Sequence, residues 1–466
     1  MSRLEKILLG ANRQLIPILI IVLIGTLLRL NKINQAFPFD HDQEVPAIAA
    51  YDFFVNHKIT LVGQELSFQG FFLGPIHNWI QFIPYGSCGL KPDCVPYFYL
   101  LLGILTVVVF YLIAKIIFDT KTAIIACAIY AISFSAISFE RGVNSNFFLF
   151  LSSIGLLFCL YKYFSGKDKF LILGAFIAGL ALVNFNPVFI FSSLAFFLTA
   201  LIRSKRSLIV YIISGIALLI NYLPLVFFNF RHENILVNNF IIFVKQNSQT
   251  SDYLPKSVFL LKNVSIPFFA DYLFQSGALI FSLITLILLG SGIILNLKRK
   301  NAFNIFLPIW ILVTFLGFIF YRGWIPNYYF QQVLLPAILL VSICIRKNFA
   351  IFLIFSAIFL FTNISRNINY NSRINYEAKK RVTEFIINNT VNETYKVFNN
   401  LPISQNTGYP TLFKLFGKSP QEDGENLFIL ESTPPAYFLE LKYRQVFPEK
   451  QVSVDTISFT HIISVK

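Results

Sequence analysis

Charged residues are scarce in this sequence. Only 13% of its 466 residues are Asp, Glu, Lys or Arg, whereas 56% are hydrophobic. A soluble domain of this size could not bury so much apolar surface, and the strand alternation of a membrane β-barrel is missing. The apolar residues instead form runs of about 15 to 23, the length that crosses a hydrocarbon core as a helix. The composition therefore predicts an all-α polytopic membrane protein.

Several functional motifs are missing as well. The sequence contains no Walker motif, so ATP-driven transport would need another subunit. No internal repeat relates the two halves of the apolar region, which argues against the repeat-built transporter folds. The first apolar run is not followed by a small-residue cleavage site, so we expect it to remain as a membrane span.

The net charge of +15 is carried largely by short basic clusters that recur at every second loop between the apolar runs. This distribution follows the positive-inside rule. It places the N-terminus in the cytoplasm and gives no reason to expect a nucleic-acid partner. We expect a multi-pass protein of the plasma (inner) membrane, embedded in the lipid bilayer.

About eleven transmembrane helices are predicted. They cover residues 14–33, 95–117, 122–139, 147–164, 170–186, 188–202, 207–230, 274–297, 302–321, 328–345 and 349–364. An odd number of spans puts the C-terminal region outside the cell membrane. Two outer loops, 34–94 and 231–273, are long, and long loops in compact proteins are usually functional.

The first outer loop has structure of its own. The segments "QEVPAIAAYDFFVNH" (43–57) and "GPIHNWIQFIPY" (74–85) are predicted to form helices lying at the membrane interface. Cys88 and Cys94 lie at the end of this loop, in a compartment that permits oxidation, and a disulfide between them is predicted. Two free thiols are the alternative.

The sequence divides into a membrane region, residues 1–373, and an extracytoplasmic region, residues 374–466. The second is more charged and predicts a small α/β domain. Its predicted helices are "YEAKKRVTEFIINN" and "PAYFLELKY", and its predicted strands are "NLFILES" and "FTHIISVK". It contains no nucleophile elbow, phosphate loop or metal-ligand spacing. A lid or an acceptor-contacting module is the expected role, and a structural cap is the alternative.

Three carboxylates are gathered just after the first span. Asp40, Asp42 and Glu44 all lie within "FPFDHDQE" (37–44). One acid would suffice as the N-cap of the interface helix that follows. A partly buried carboxylate could instead act as a base that takes a proton from an incoming hydroxyl.

Three arginines are predicted on the same outer side, against the positive-inside bias. Arg29 ends the first span, Arg141 lies in "SFERGVNSN" and Arg322 lies in "YRGWIPNYYF". Each could snorkel to lipid headgroups. Three of them near one carboxylate-bearing loop favour the alternative, a site for a lipid-linked phosphate.

Four segments together resemble the bacterial GT-C fold glycosyltransferases that use polyprenyl-phosphate sugars. That superfamily includes protein O-mannosyltransferases, the lipid A aminoarabinose transferase and the rhizobial galacturonosyltransferases. The resemblance extends over residues 14–345. It is carried by "LLRLNKINQAFPFDHDQ", "NHKITLVGQELSFQGFFLGPIHNWIQFIPY", "SFERGVNSNFFLFLSSIGLLF" and "PNYYFQQVLLPAILL".

The resemblance implies roles for particular residues. Asp42 falls where the superfamily has its catalytic aspartate. Gln43 replaces the usual glutamate partner, which leaves Asp40 or Glu44 as the second acid. His77 stands where several relatives carry a phosphate-facing lysine, and a simple interface residue is the alternative. Substrate binding is therefore expected of a wider set: Glu44, Arg29, His77, Arg141, Asn144, Arg322, Tyr328 and Tyr329.

The resemblance also implies an inverting displacement at the outer surface. The donor would be a polyprenyl-phosphate-linked sugar, and the acceptor a glycan, a lipid or a protein. No cofactor is expected, although Asp40, Asp42 and Glu44 could hold a magnesium or manganese ion. An oligosaccharide polymerase and a lipid-linked glycan flippase or transporter are the alternatives. A transporter would be expected to carry charges near the middle of its spans, whereas here the spans are nearly free of charge.

Overall fold

The computed structural model describes residues 3–66, 70–202, 208–246, 257–299, 302–321, 325–370, 372, 375–390, 393–402, 405–433 and 435–465. Most of the chain is helical. The helices up to residue 246 are α1 (Arg3–Leu30), α2 (Ile33–Ala36), α3 (His41–Phe54), α4 (Ile76–Ser87), α5 (Val95–Ile117), α6 (Thr120–Ile132), α7 (Phe134–Arg141), α8 (Phe147–Phe164), α9 (Lys169–Asn184), α10 (Ile190–Ile202), α11 (Leu208–Leu219), α12 (Leu223–Arg231) and α13 (Ile235–Gln246). The remaining helices are α14 (Ile266–Phe274), α15 (Leu279–Leu297), α16 (Phe306–Phe320), α17 (Leu334–Ile345), α18 (Phe349–Ile368), α19 (Tyr376–Asn388), α20 (Tyr409–Leu415) and α21 (Ala436–Val446).

The prediction of a multi-pass helical membrane protein is confirmed, but the number of eleven spans is not. Among the described residues, eight helices are long and apolar enough to cross a membrane, and a bent pair makes a ninth. Three shorter apolar helices, Leu15–Leu30, Lys169–Asn184 and Pro187–Ile202, accompany them.

One of the eight, Ser257–Phe274, was missed because it lies inside the predicted outer loop 231–273. Its apolar sequence is interrupted by Lys262, Pro267 and Asp271, so it lacks the uninterrupted run by which the other spans were identified.

The predicted span 122–139 is broken in the structure. Helices α6 and α7 meet at an angle of 55°. Ser133 accepts a hydrogen bond from the Ala136 N–H and begins the second helix, and Asn363 Oδ1 accepts a hydrogen bond from the Phe134 N–H at 2.9 Å. A polar partner at the break is needed because a backbone N–H left unpaired in an apolar surrounding is costly.

Burial separates central from peripheral helices. Every residue of α17 is buried, as expected for a helix that is apolar all round. Within α11, by contrast, only Ser214 is buried. At one end of the bundle Asp119 pairs with Arg346 and, at 3.6 Å, with Arg299. These three residues follow or precede the spans at the ends predicted to be cytoplasmic.

The first outer loop forms the predicted helices α3 and α4, followed by a disulfide between Cys88 and Cys94. The disulfide prediction is therefore confirmed. Both helices lie at the end of the bundle opposite the Asp119 cluster, next to the loops that follow α7 and α9.

The C-terminal residues form a small four-stranded sheet with three helices. The strands are β1 (Tyr395–Asn399), β2 (Asn426–Glu431), β3 (Val452–Ile457) and β4 (Thr460–Val465), in the order β1-β2-β4-β3. The β1–β2 pair is parallel and the other two pairs are antiparallel. Helices α19 and α20 cover one face and α21 covers the other. The four segments predicted here are found, whereas β1, α20 and β3 were not predicted.

Candidate functional site

A cavity of about 510 Å³ opens at the end of the bundle that carries the first outer loop. Its walls come from α3, from residues 64–66, 71 and 73, from the loops after α7 and α9, from α10 and α13, and from residues 321, 328 and 329. The lining residues are Asp42, Gln64, Glu65, Leu66, Phe71, Leu73, Phe139, Asn144, Ser145, Asn146, Phe185, Asn186, Pro187, Val188, Ile190, Phe191, Phe240, Tyr321, Tyr328 and Tyr329.

Asp42 reaches this cavity because of how α3 begins. Asp40 is the N-cap: its carboxylate accepts a hydrogen bond from the Asp42 N–H, and Gln43 Oε1 accepts one from the Asp40 N–H at 3.0 Å. This is a capping box. Gln43 Nε2 also donates to the carbonyl oxygen of Gly142 at 2.5 Å. The first turn of α3 is thereby attached to the loop after α7, and Asp42 lies on the cavity side.

The surroundings of Asp42 raise its proton affinity. Burial, followed by the nearby Asp40 carboxylate, raises the pKa of Asp42, while a hydrogen bond from Gln64 and the charge of His41 oppose the shift. Gln64 Nε2 donates directly to Asp42 Oδ1. A carboxylate with a raised pKa is a stronger base than a solvated one, provided that it is still ionised at the working pH.

The partner Gln64 is presented by a narrow loop that leads into α4. Gly63 N–H donates to Leu73 O at 2.7 Å, and Leu73 N–H donates to Gln64 O at 2.9 Å. A Cβ on Gly63 would come within 2.4 Å of Gly74 O, and one on Gly74 within 2.1 Å of Asn184 Oδ1. The glycine of "GPIHNW" therefore lets the chain lie directly against the Asn184 side chain at the end of α9.

Amide side chains form a second wall of the cavity. Asn186 Nδ2 donates to Asn146 Oδ1 at 2.7 Å, and Asn146 N–H donates to Asn144 Oδ1 at 3.1 Å. Ser145 donates to the carbonyl of Phe185 at 2.8 Å. These contacts join the loop after α7 to the loop after α9. Neutral amides can both donate and accept, which suits them to hydroxyl-rich ligands.

Three tyrosines also line the cavity. Tyr328 and Tyr329 pack edge-on with ring centroids 5.1 Å apart, and Tyr321 contacts Tyr329 at 6.2 Å. The Tyr328 hydroxyl faces the cavity region and can donate a hydrogen bond to an oxygen there. Arg322, predicted to bind phosphate, lies outside the described residues.

Arg29 was expected to bind substrate, but the structure gives it other partners. Its guanidinium donates to both carboxylate oxygens of Glu140, at 2.6 and 2.8 Å, and to the carbonyls of Gly25 and Ala131. Arg29 and Glu140 are 3% and 2% exposed. All of this lies away from the cavity, so Arg29 is a structural cation within the helix bundle.

Arg141 is also held by the protein itself. Its Nη2 donates to the carbonyls of Leu28, Arg29 and Asn31, which are the carbonyls left without partners where α1 ends. Arg141 therefore caps α1 and is not among the cavity residues.

His77 and Glu44 do not line the cavity either. His77 Nε2 lies 2.9 Å from Tyr99 Oη, and burial lowers the pKa of His77 to about 4, so the ring is neutral and cannot replace a phosphate-binding lysine. Glu44 accepts a hydrogen bond from Thr411 Oγ1 at 2.8 Å. It faces the C-terminal helices, away from Asp42.

Of the predicted site residues, the structure brings together Asp42, Asn144, Tyr328 and Tyr329. It adds several that sequence reasoning missed: Gln64, Glu65, Asn146, Asn186 and Tyr321. A signal exists for Asn186, since "NFNP" (184–187) places polar residues where the predicted spans 170–186 and 188–202 meet. No comparable signal marks Gln64.

The three carboxylates have different partners, so they do not form a shared set of metal ligands. Asp40 caps α3, Asp42 accepts a hydrogen bond from Gln64, and Glu44 accepts one from Thr411. Across the part of the chain that the structure describes, no group of three or more His, Cys, Asp or Glu side chains is placed to hold a metal ion.

Comparison with known proteins identifies the fold. A family model described as dolichyl-phosphate-mannose-protein mannosyltransferase matches residues 74–227. The structure of ArnT from Cupriavidus metallidurans in the apo state has a TM-score of 0.62 at 11% identity, covering 96% of this chain and 97% of that one. The structure of the same protein bound to undecaprenyl phosphate has a TM-score of 0.58 at 12% identity, with 96% and 97% covered. No curated protein sequence matches the chain.

A third similar structure is archaeal. The oligosaccharyltransferase AglB from Archaeoglobus fulgidus, in complex with an inhibitory peptide and a dolichol-phosphate, has a TM-score of 0.54 at 12% identity. The match covers 88% of this chain and 64% of that one. These likenesses confirm the GT-C fold expected from the sequence.

Proposed function

We propose that this protein is a membrane glycosyltransferase that moves a sugar from a polyprenyl-phosphate donor to an acceptor hydroxyl. The observation that carries the proposal is the position of Asp42, a half-buried carboxylate in the cavity of a chain with the GT-C fold. Support comes from the similar structures, one holding undecaprenyl phosphate and another a dolichol-phosphate, and from the match to a mannosyltransferase family model.

Asp42 acts as the general base in this proposal. It takes the proton of the acceptor hydroxyl as the oxygen forms a bond to the anomeric carbon. The bond from that carbon to the phosphate oxygen breaks, and its electron pair leaves with the lipid phosphate. The configuration is inverted because one displacement takes place, through a transition state with oxocarbenium character.

The developing charge on the phosphate needs donors. Tyr321 and Tyr328 line the cavity and can supply hydroxyl groups. Arg322 follows Tyr321 in the sequence, and a guanidinium matches two phosphate oxygens better than a point charge does. We assign Arg322 the role of phosphate anchor that Arg29 and Arg141 do not fill.

The sugar and the lipid have separate places. The amides of Asn144, Asn146 and Asn186 are suited to the hydroxyls of the transferred sugar. Apolar residues continue the cavity along α10, where Ile190 lines it and is 46% exposed on the outside of the bundle. We assign this side to the polyprenyl chain.

The reaction is placed at the outer face of the plasma membrane. The C-terminal domain, residues 374–466, would then be extracytoplasmic, since its helices contact the loop that carries Asp42. A lipid-linked donor suits this location, where nucleotide sugars are not available. The acceptor would be a glycan, a lipid or a protein.

The test is Asp42→Asn, measured as transfer of radiolabel from polyprenyl-phosphate sugars in membranes that carry the variant. Asparagine preserves the shape and can still accept the Gln64 hydrogen bond, so folding should be kept while the rate falls at least about 100-fold. Asp40→Asn is the matched control: asparagine also caps helices well, so the loss should be much smaller. Full transfer by Asp42→Asn would refute the base assignment, and full transfer by the double variant would refute the proposed chemistry.

A further inference from the structure

The segment that carries Asp42 is held in place by the C-terminal domain. The N–H of Tyr376, the first residue of α19, donates to Phe37 O at 2.8 Å. Lys379, one turn further along α19, donates from Nζ to Phe39 O at 2.7 Å and to Thr407 O at 2.8 Å. Phe39 directly precedes Asp40, the residue that caps the helix of Asp42.

Lys379 is an unusual lysine, because it is only 3% exposed and it binds backbone carbonyls instead of a carboxylate. Burying an ammonium group costs free energy unless it gains hydrogen bonds and nearby negative charge. Burial lowers the pKa of Lys379 to about 8, whereas Asp40 and Glu44 both oppose that shift. The lysine is therefore mainly protonated at neutral pH.

The residues around the contact between Lys379 and Phe39 are tightly packed. Gly408 has φ +90°, and a Cβ there would lie 2.4 Å from Phe39 O and 3.4 Å from Lys379 Nζ. The chain reverses at Gly408 in a conformation that other residues rarely adopt, which lets Thr407 O and Phe39 O approach the same ammonium. Thr411, on α20, holds the other end of the segment through Glu44.

We propose that Lys379 is a positioning residue for the transfer reaction, fixing the start of α3 so that Asp42 meets the acceptor hydroxyl. This inference rests on the proposed function. Lys379 does not line the cavity and is not expected to touch either substrate. Lys379 holds the Phe39 carbonyl and offsets the negative charge of Asp40 and Glu44. The loop therefore keeps one conformation.

The experiment uses the full-length protein and two measurements. One is transfer of radiolabel from polyprenyl-phosphate sugars in membranes, and the other is binding of undecaprenyl phosphate, as a probe of the donor site, to the purified chain. Lys379→Met should reduce the transfer rate roughly 10- to 100-fold, the scale for a misplaced catalytic group, while undecaprenyl phosphate affinity stays within about twofold. Lys380→Met is the matched control, because Lys380 is the next residue and pairs with Asp93 at 2.6 Å instead of binding the Phe39 carbonyl. Its transfer rate should stay within about twofold of that of the unmodified protein.

The proposal is overturned if folded Lys379→Met transfers sugar at the normal rate, or if transfer and undecaprenyl phosphate binding fall together. Should Lys379→Met fail to fold, Lys379→Gln decides. It removes the charge but keeps a hydrogen-bond donor, and should lower the transfer rate several-fold with undecaprenyl phosphate binding kept; unchanged transfer overturns the proposal. Asp42→Asn is measured in parallel. Full transfer by Asp42→Asn refutes the proposed function itself. Loss of transfer by Asp42→Asn, together with normal transfer by Lys379→Met, refutes only the role of Lys379.

Discussion

The sequence pattern and the structure imply different roles for Arg29, and substitutions can distinguish them. By its place in the sequence it was predicted to bind the donor phosphate, whereas the structure pairs it with Glu140 through two contacts of 2.6 and 2.8 Å. The pair is enclosed closely: a Cβ on Gly103 would come within 2.4 Å of Glu140 Oε2. Arg29→Met would therefore leave a buried carboxylate without its cation.

The expected cost of Arg29→Met follows from that burial. Removing one partner of a buried ion pair costs about 3–5 kcal/mol, because the other charge stays buried without compensation. The double variant Arg29→Met/Glu140→Gln removes both charges. It still loses the hydrogen bonds from Arg29 to the Gly25 and Ala131 carbonyls, each worth about 1–2 kcal/mol. We therefore expect the double variant to be the more stable of the two.

The assay is thermal stability of the purified protein. It is measured as the temperature at which half of the protein is lost from the monodisperse peak. Undecaprenyl phosphate binding and sugar transfer are measured on the protein that remains folded. We predict that Arg29→Met is strongly destabilised and that the double variant regains stability together with binding and transfer. A double variant that is stable but does not bind undecaprenyl phosphate would refute the reasoning and restore Arg29 as a phosphate ligand.

Further outcomes concern the loop around Asp42. Gln64→Leu removes a hydrogen bond that lowers the pKa of Asp42, so this pKa should rise. Because the ionised carboxylate is the proposed base, the acid limb of the pH–rate profile should move to higher pH. An acid limb that stays in place would contradict the contact between Gln64 and Asp42. His77→Gln should keep the transfer rate above about half of normal across pH 6 to 8. Burial lowers the pKa of His77 to about 4, so the ring is already neutral in this range. A large loss of transfer would instead indicate that His77 binds phosphate. Replacing Cys88 and Cys94 by serine opens a loop closed by two residues with a sequence separation of 6. The change should lower the free energy of unfolding by about 2 kcal/mol, measured by thermal denaturation, while sugar transfer is kept. Loss of transfer in folded protein would mean that the disulfide shapes the site.

Much of the membrane architecture could be predicted from the sequence. Helices α5 and α8 begin and end at the predicted residues, 95–117 and 147–164. Long apolar runs allow this, since the bilayer core sets the helix length. Prediction failed for Ser257–Phe274, where polar residues interrupt the apolar pattern, and at Ser133, where the break depends on Asn363, a residue more than two hundred positions away.

The candidate site was predicted less completely. Asp42, Tyr328 and Tyr329 were all predicted from resemblances in the sequence around them. The structure gives Arg29 and Arg141 other partners than expected, because an arginine near a span end has the same local sequence whether it binds phosphate, caps a helix as Arg141 does, or pairs with a buried acid as Arg29 does. Only the three-dimensional contacts distinguish these roles.

The contact between Lys379 and Phe39 could not be predicted at all. The two residues are 340 positions apart, and nothing in "YEAKKRVTEF" separates Lys379 from the neighbouring Lys380 except its place on the buried face of α19. Long-range pairings of this kind depend on how the sheet and its helices pack on the first outer loop.

We propose that the cavity beside Asp42 binds a polyprenyl-phosphate donor for sugar transfer. A cryo-electron microscopy structure of the whole chain with undecaprenyl phosphate is the most direct test. The phosphate should lie in the cavity beside Tyr321 and Tyr328, on the side facing Asp42, with the lipid chain leaving along α10. Density for the lipid at another surface, with the cavity free of phosphate, would show that the proposal is wrong.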